Sequence, residues 1–122
     1  MIVFAAATMT AGIVIALTLY AVFTKTDFTT CGGILAVLGG VFLVFMIFSF
    51  FFGPTFHLIM SFVGVLLFGI YLVFDTQYIV GGKHRRHTID KDDYILGAVM
   101  LYLDIITIFI YLLDILRSFS HN

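Results

Sequence analysis

The stretch that decides the fold is residues 56–80, "FHLIMSFVGVLLFGIYLVFDTQYIV". It is long enough for a helix that crosses a bilayer, which takes about 20 apolar residues. Its one carboxylic acid, Asp75, lies near its end. An ionised side chain at membrane depth costs about 2.5–3.5 kcal/mol on insertion scales. The stretch therefore predicts a transmembrane helix whose single acid has a specific role.

The composition of the whole chain indicates the same environment. Of its 122 residues, 62% are hydrophobic and 11% are charged, whereas soluble domains are about 45–50% apolar and about 25% charged. A soluble chain of this length could not bury so much apolar surface. The single cysteine, Cys31, excludes an intrachain disulfide. No nucleic-acid partner, cofactor or firm metal site is predicted, and membrane lipid is the expected surrounding.

Three further windows are also long and apolar enough to span a membrane. The four predicted spans are about 2–23, 32–52, 56–80 and 94–116. Backbone polar groups in lipid must bond internally, so the spans are expected to be helices. The sequence thus predicts an all-α membrane protein with four transmembrane helices, in which residues 1–122 form one multi-pass domain.

The basic residues predict the orientation of these spans, because Lys and Arg favour the cytosolic side. Five of the six fall in the first and third connections, and the sixth, Arg117, follows the last span; the five are Lys25, Lys83, Arg85, Arg86 and Lys91. Both chain ends and the Gly53-Pro54 turn are then non-cytosolic. A first span that starts at once on that side suggests missing upstream helices, odd in number.

The third connection, residues 81–93, carries clustered histidines and acids without the spacing of a metal site. His84 and His87 flank two arginines, which would repel a cation, so a solvated basic loop is the better interpretation. A calcium loop would need a glycine and a closing Glu that are absent. Asp90 is instead expected to cap the last helix, with Asp92 and Asp93 complementing its dipole.

A second acid, Asp104, lies near the middle of the fourth span, in "MLYLDIITIF", residues 100–109. At about 1.5 Å per residue, Asp75 is roughly 8 Å and Asp104 roughly 15 Å from the cytosolic ends of their helices. Tilt or a broken helix could bring the two carboxyls together. Two close carboxylates in a low dielectric cannot both ionise easily, so they share a proton. Such a pair can sense pH, relay protons or bind a cation.

Neighbouring polar side chains can supply hydrogen bonds to the two acids, and the candidates are Tyr71, Thr76, Gln77 and Thr107. The residues alone leave an alternative open, in which each acid is neutral and hydrogen-bonds a neighbouring helix as structural glue.

Two other ionisable residues have simpler interpretations. Asp114 lies near the non-cytosolic end of the last span, and an ion pair with Arg117 at i+3 explains it. His57 begins the third span and is expected to be interfacial.

Taken together, these residues resemble the transmembrane Bax inhibitor motif family, in its Lifeguard branch. Residues 69–116 carry most of the likeness, through Gly69-x-Tyr71-x-x-x-Asp75-Thr76-Gln77, Asp93-Tyr94-x-x-Gly97-Ala98 and Leu103-Asp104-Ile105. Upstream, Thr24-Lys25-x-Asp27-Phe28-Thr29 is also similar to this branch. The resemblance implies a seven-helix bundle of which this chain corresponds to helices four to seven, as a fragment or short form.

The resemblance also implies a function. Family members are associated with a pH-sensitive calcium leak across the endoplasmic reticulum or related membranes, and with suppression of cell death. Asp75 and Asp104 occupy the positions of the family's proton-sensing and gating pair. The expected partners are Ca²⁺ as permeant ion and membrane proteins that regulate cell death. The expected location is the endoplasmic reticulum, Golgi or plasma membrane.

Two other functions compete with a leak. The first is a regulatory membrane protein that acts through helix–helix contacts and conducts nothing. The second is an intramembrane aspartyl protease, which also uses two aspartates on adjacent helices. That enzyme should read Gly-x-Gly-Asp at its second aspartate, whereas here the residues are "LYLD", 101–104. No enzymatic activity is predicted.

Overall fold

The computed structural model describes residues 1–81 and 93–120 of the chain. They form four α-helices: α1 (Ile2–Phe23), α2 (Gly32–Phe52), α3 (Pro54–Val80) and α4 (Tyr94–Ser120). A short 3-10 helix, Phe28–Cys31, precedes α2, and these residues include no strand. All four α-helices are long and apolar enough to cross a membrane. The prediction of an all-α membrane protein with four transmembrane helices is confirmed.

The helix bounds follow local sequence signals. α1 and α2 have the predicted bounds, whereas α3 begins at Pro54 rather than at residue 56 and α4 continues to Ser120, past residue 116. Pro54 occupies the first turn of α3, where its missing N–H costs no hydrogen bond. Gly53, with φ of 98°, makes the reversal between α2 and α3. The result is an α2–α3 hairpin joined by one residue.

α3 is the central helix of the bundle. It packs against α1, α2, α4 and the 3-10 helix, and α1 also packs against α4. Ala6, Leu72, Ile108 and Leu112 form the buried core where α1, α3 and α4 meet. On the other face of α3, the Phe42 ring of α2 meets the Tyr111 ring of α4 edge-on, with centroids 5.7 Å apart. The core is therefore built around α3.

Most of the outer surface is apolar, as expected for helices in lipid. Large exposed side chains occur on all four helices, including Phe50, Phe51 and Phe52 at the end of α2. In a bilayer this surface faces acyl chains, so helix association depends on close packing and hydrogen bonds more than on burial from water.

Part of the third connection has no structural description. The predicted cap Asp90, its neighbour Asp92 and the segment with His84 and His87 lie outside the described residues.

Candidate functional site

Asp75 of α3 and Asp104 of α4 are brought together inside the bundle. Their exposed fractions are 5% and 6%, and their side chains lie within hydrogen-bonding reach of each other. α3 and α4 pack side by side, which places an acid from each helix at their shared interface. Two carboxyl groups distant in sequence thus form one site.

The chemistry of this pair depends on a proton. An ionised carboxylate only accepts hydrogen bonds, so a bond between two carboxyl groups requires a proton on one of them. The Oδ2 atom of Asp104 is buried without a hydrogen-bond partner among the described residues. A buried acceptor left in this way costs about 1–3 kcal/mol. The pair can therefore hold a proton, which would give this buried oxygen a partner.

A tightly bound metal ion does not fit the pair. Two carboxylates supply about four oxygen atoms, whereas Ca²⁺ takes about 6–8 oxygen ligands. The described residues contain no group of three or more His, Cys, Asp or Glu side chains that could hold a metal. A cation at this pair would have to keep part of its water shell.

Tyr71 lies beside the acids but donates its hydrogen bond elsewhere. Its hydroxyl donates to the Leu35 carbonyl of α2, while its ring is close enough to both acids for their charges to act on it. Gly39 of α2 makes room, since a Cβ there would collide with the Tyr71 hydroxyl. Tyr71 therefore links α2 to the part of α3 that carries Asp75.

The other three polar candidates also differ from the prediction that they hydrogen-bond the acids. The Thr76 hydroxyl donates to the Leu72 carbonyl at 2.7 Å, and the Thr107 hydroxyl donates to the Leu103 carbonyl at 2.6 Å. Each threonine thus bonds its own helix one turn back, a common choice for this residue in helices.

Gln77 holds the α1–α2 connection. Its Nε2 donates to the carbonyls of Ala21 and Thr26 at 3.1 and 3.0 Å, and its Oε1 accepts from the Phe28 N–H at 2.7 Å. At about 100° per residue, Gln77 and Asp75 lie on nearly opposite sides of α3. The amide therefore clamps the connection rather than supporting the acid pair.

A second polar cluster lies at the other end of the bundle. The Oδ2 of Asp114 is 3.5 Å from Nε2 of His57, and Nδ1 of His57 is 3.3 Å from the Ser49 hydroxyl. The sequence predicted only the local partner Arg117 for Asp114. The contact with His57 could have been found from topology, because antiparallel α3 and α4 place the start of one beside the end of the other.

Comparison with known proteins places the whole chain in one family. A family model described as inhibitor of apoptosis-promoting Bax1, Bax1-I, matches residues 1–121. The chain belongs to the Bax1-I family. The resemblance inferred from its motifs is confirmed.

The Bax1-I relatives of this chain include the lifeguard proteins. It is 36% identical over 117 residues to protein lifeguard 3 of Mus musculus, covering 90% of this chain and 37% of the relative. It is 37% identical over 113 residues to protein lifeguard 3 of Homo sapiens, covering 88% and 36%. Protein lifeguard 4 of Mus musculus is 32% identical over 111 residues, covering 90% and 44%.

The chain spans only about 36 to 44% of the length of these Bax1-I relatives. No solved structure matches it.

Proposed function

We propose that this Bax1-I chain acts in a pH-sensitive calcium leak that suppresses cell death, with Asp75 and Asp104 as the proton-sensing gate. The observation that carries the proposal is the pairing of two buried carboxyl groups across the α3–α4 interface. The unpartnered Oδ2 of Asp104 adds support, because a proton on the pair would give this buried oxygen a hydrogen bond.

The proposed mechanism starts from a closed state with one shared proton. That proton lets the carboxyl groups attract each other and holds α3 against α4. When it leaves, two like charges face each other in a medium of low dielectric, where their repulsion is far stronger than in water. The helices then separate near the acids, and the freed carboxylates attract a passing Ca²⁺. A leak of this kind increases as the pH rises.

The cell-death part of the proposal draws on the family. The matching family model is described as an inhibitor of apoptosis-promoting Bax1, and relatives carry the name lifeguard. We assign the chain to the endoplasmic reticulum, Golgi or plasma membrane, with Ca²⁺ as permeant ion and membrane proteins that regulate cell death as partners.

Calcium flux into proteoliposomes tests the leak directly. The intact chain should give a flux that rises with pH, because loss of the shared proton leaves two like charges facing each other. Asp75→Asn and Asp104→Asn should remove this pH dependence, since an amide neither ionises nor carries the shared proton. Asp93→Asn is the matched control, the same change at an exposed acid just before α4, and should keep the dependence. Absence of flux at every pH would show that this chain does not conduct Ca²⁺.

A second function, regulation through helix–helix contacts, is favoured by the gap between α1 and α2. These helices do not pack against each other in the described structure, and an apolar groove of about 620 Å³ lies between α1 and α3. Ala16, Leu17 and Ile70 are among its lining residues. A helix of a partner membrane protein would bury this surface.

Cell-death assays separate the two functions. If the chain acts only by contact, Asp104→Asn should leave suppression intact, whereas Ala16→Leu, which fills the groove, should weaken it. If the chain acts by leak, the opposite pattern is expected. Surface expression or membrane abundance of each variant is measured alongside, so that loss of protein is not taken for loss of function.

A further inference from the structure

A polar pocket of about 430 Å³ lies at the end of the bundle opposite the acid pair. It is formed where the α2–α3 turn meets the end of α4, and its lining includes Ser49, Phe50, His57, Ser61, Asp114 and Arg117. Its volume is within the range of about 300–1,000 Å³ that is typical of small-molecule sites. Neither the leak mechanism nor the apolar groove uses it.

The pocket contains both a carboxylate and a guanidinium. Asp114 and Arg117 are three residues apart on α4 and therefore share one helix face. His57, from the start of α3, contacts Asp114 from across the pocket at 3.5 Å. A simple anion would be repelled by the Asp114 carboxylate, and a simple cation would be repelled by the Arg117 guanidinium. The charges suit a ligand that carries a positive and a negative group together.

Two buried hydroxyl groups form part of the inner wall beside the carboxylate. The Ser49 hydroxyl donates to the Met46 carbonyl at 2.6 Å, and the Ser61 hydroxyl donates to the His57 carbonyl at 3.1 Å. Both serines are almost fully buried, at 1% and 0% exposed, and the Ser49 oxygen also faces Nδ1 of His57 at 3.3 Å. They therefore shape the inner wall, and Asp114 is the acceptor that a primary ammonium can bond through its N–H donors.

The position of the pocket relates it to lipid. α3 begins at Pro54 and α4 ends at Ser120, so the pocket lies at the level where helices leave the hydrocarbon core. Phe50, which is 83% exposed, and Leu58 form its apolar wall. A phospholipid at this depth would place its headgroup among the charges and its glycerol backbone along this wall.

We propose that this pocket binds a phosphoethanolamine group, supplied by a phospholipid headgroup. Arg117 takes the phosphate through charge-assisted N–H bonds, which a guanidinium makes with two oxygens at once. Asp114 takes the ammonium. Choline fits less well, because it has no N–H donor and is usually held in a cage of aromatic rings, whereas Phe50 is the one phenyl ring in this lining.

Calorimetric titration of the purified full chain in detergent tests the proposal. The probes are dihexanoyl phosphatidylethanolamine, the matching phosphatidylcholine and phosphatidic acid, and free O-phosphoethanolamine. We expect phosphatidylethanolamine to bind about tenfold or more tightly than phosphatidylcholine, because Asp114 gains a charge-assisted bond only from the primary amine. If free O-phosphoethanolamine binds more weakly than the lipid, the natural ligand is the lipid headgroup. Equal binding would overturn the proposal that a lipid supplies the group.

Three variants test whether Arg117 binds the phosphate and Asp114 binds the ammonium. Arg117→Gln should weaken phosphatidylethanolamine by about 10–100-fold, and Arg117→Lys, which keeps a cation, should lose less. Asp114→Asn should weaken phosphatidylethanolamine but not phosphatidic acid, and its retained phosphatidic acid binding shows that it is folded. Lys25 is an exposed cation at the opposite end of the bundle. Lys25→Gln should therefore leave the affinities for phosphatidylethanolamine and for phosphatidic acid unchanged. Equal affinity for phosphatidylethanolamine and phosphatidylcholine, or unchanged affinity in Arg117→Gln, would overturn the site.

Discussion

The Gln77 side chain is 1% exposed and makes three hydrogen bonds to backbone groups of the α1–α2 connection. Those groups are the carbonyls of Ala21 and Thr26 and the N–H of Phe28, which lie about fifty residues away in sequence. A part-buried backbone N–H needs an acceptor, and Gln77 on α3 supplies the one for Phe28. The Gln77 side chain therefore holds the α1–α2 connection against α3.

Gln77→Leu should destabilise the fold by about 1–3 kcal/mol, because it removes the three hydrogen bonds that tie α3 to the end of α1 and to the α1–α2 connection, including the acceptor of the Phe28 N–H. The measurement is unfolding in mixed detergent, with amide exchange at Phe28 as a local readout. Thr76→Val is the matched control, since the Thr76 hydroxyl bonds only within its own helix. Full protection of the Phe28 amide in Gln77→Leu would contradict the clamp.

The residues of the candidate site were predictable to different degrees. Asp75 and Asp104 stand out in sequence because an acid at membrane depth is costly and seldom accidental. The sequence gives no sign of the hydrogen-bond partners of Gln77 or of the His57–Asp114 contact. Each of these contacts joins residues about fifty positions apart and leaves no periodic pattern. The hydroxyls of Thr76 and Thr107 were assigned to the acids by proximity in sequence, whereas the helix backbone one turn back is closer.

At the level of elements, α3 depends on glycines to meet its neighbours. A Cβ at Gly64 would lie 2.6 Å from the Tyr111 ring of α4 and 3.0 Å from the Phe42 ring of α2. Both aromatic rings therefore rest against the backbone of α3 at one point. Close backbone approach through small residues is a usual way for helices to associate in lipid.

Gly64→Ala should weaken the bundle by about 1–3 kcal/mol, since the two rings must move to admit a methyl group. Gly40→Ala on α2 is the matched control: a Cβ there meets nothing within 4 Å, and alanine favours a helix over glycine. Unfolding midpoints in detergent compare the two variants. Equal or greater stability of Gly64→Ala would show that the rings do not depend on this contact.

The elements themselves were largely predictable, and their ends less so. Long apolar runs specify the number and approximate length of membrane helices, because lipid offers the backbone no other hydrogen bonds. The Gly53-Pro54 turn was expected to end one helix and form a hairpin, and Pro54 also forms the first turn of α3, as proline can. The end of α4 at Ser120 lies past the apolar run, where polar residues still continue the helix.

At the level of the whole molecule, α3 holds the other helices together while α1 and α2 remain separate. The acid pair is at one end of the α3–α4 interface and the polar pocket at the other, with the aromatic contacts of Phe42 and Tyr111 between them. The two sites therefore share the same helix pair.

The last prediction concerns the orientation of the whole bundle in the membrane. α2 has 21 residues, a length of about 32 Å at 1.5 Å per residue, enough to separate Thr26 from Thr55 by the hydrocarbon core of about 30 Å. Five of six basic residues favour the side of Thr26 as cytosolic. In a Cys31→Ser background, an impermeant maleimide should label Thr26→Cys only from the cytosol and Thr55→Cys only from the opposite side. Labelling of both from one side would contradict the hairpin, and reversed labelling would contradict the orientation.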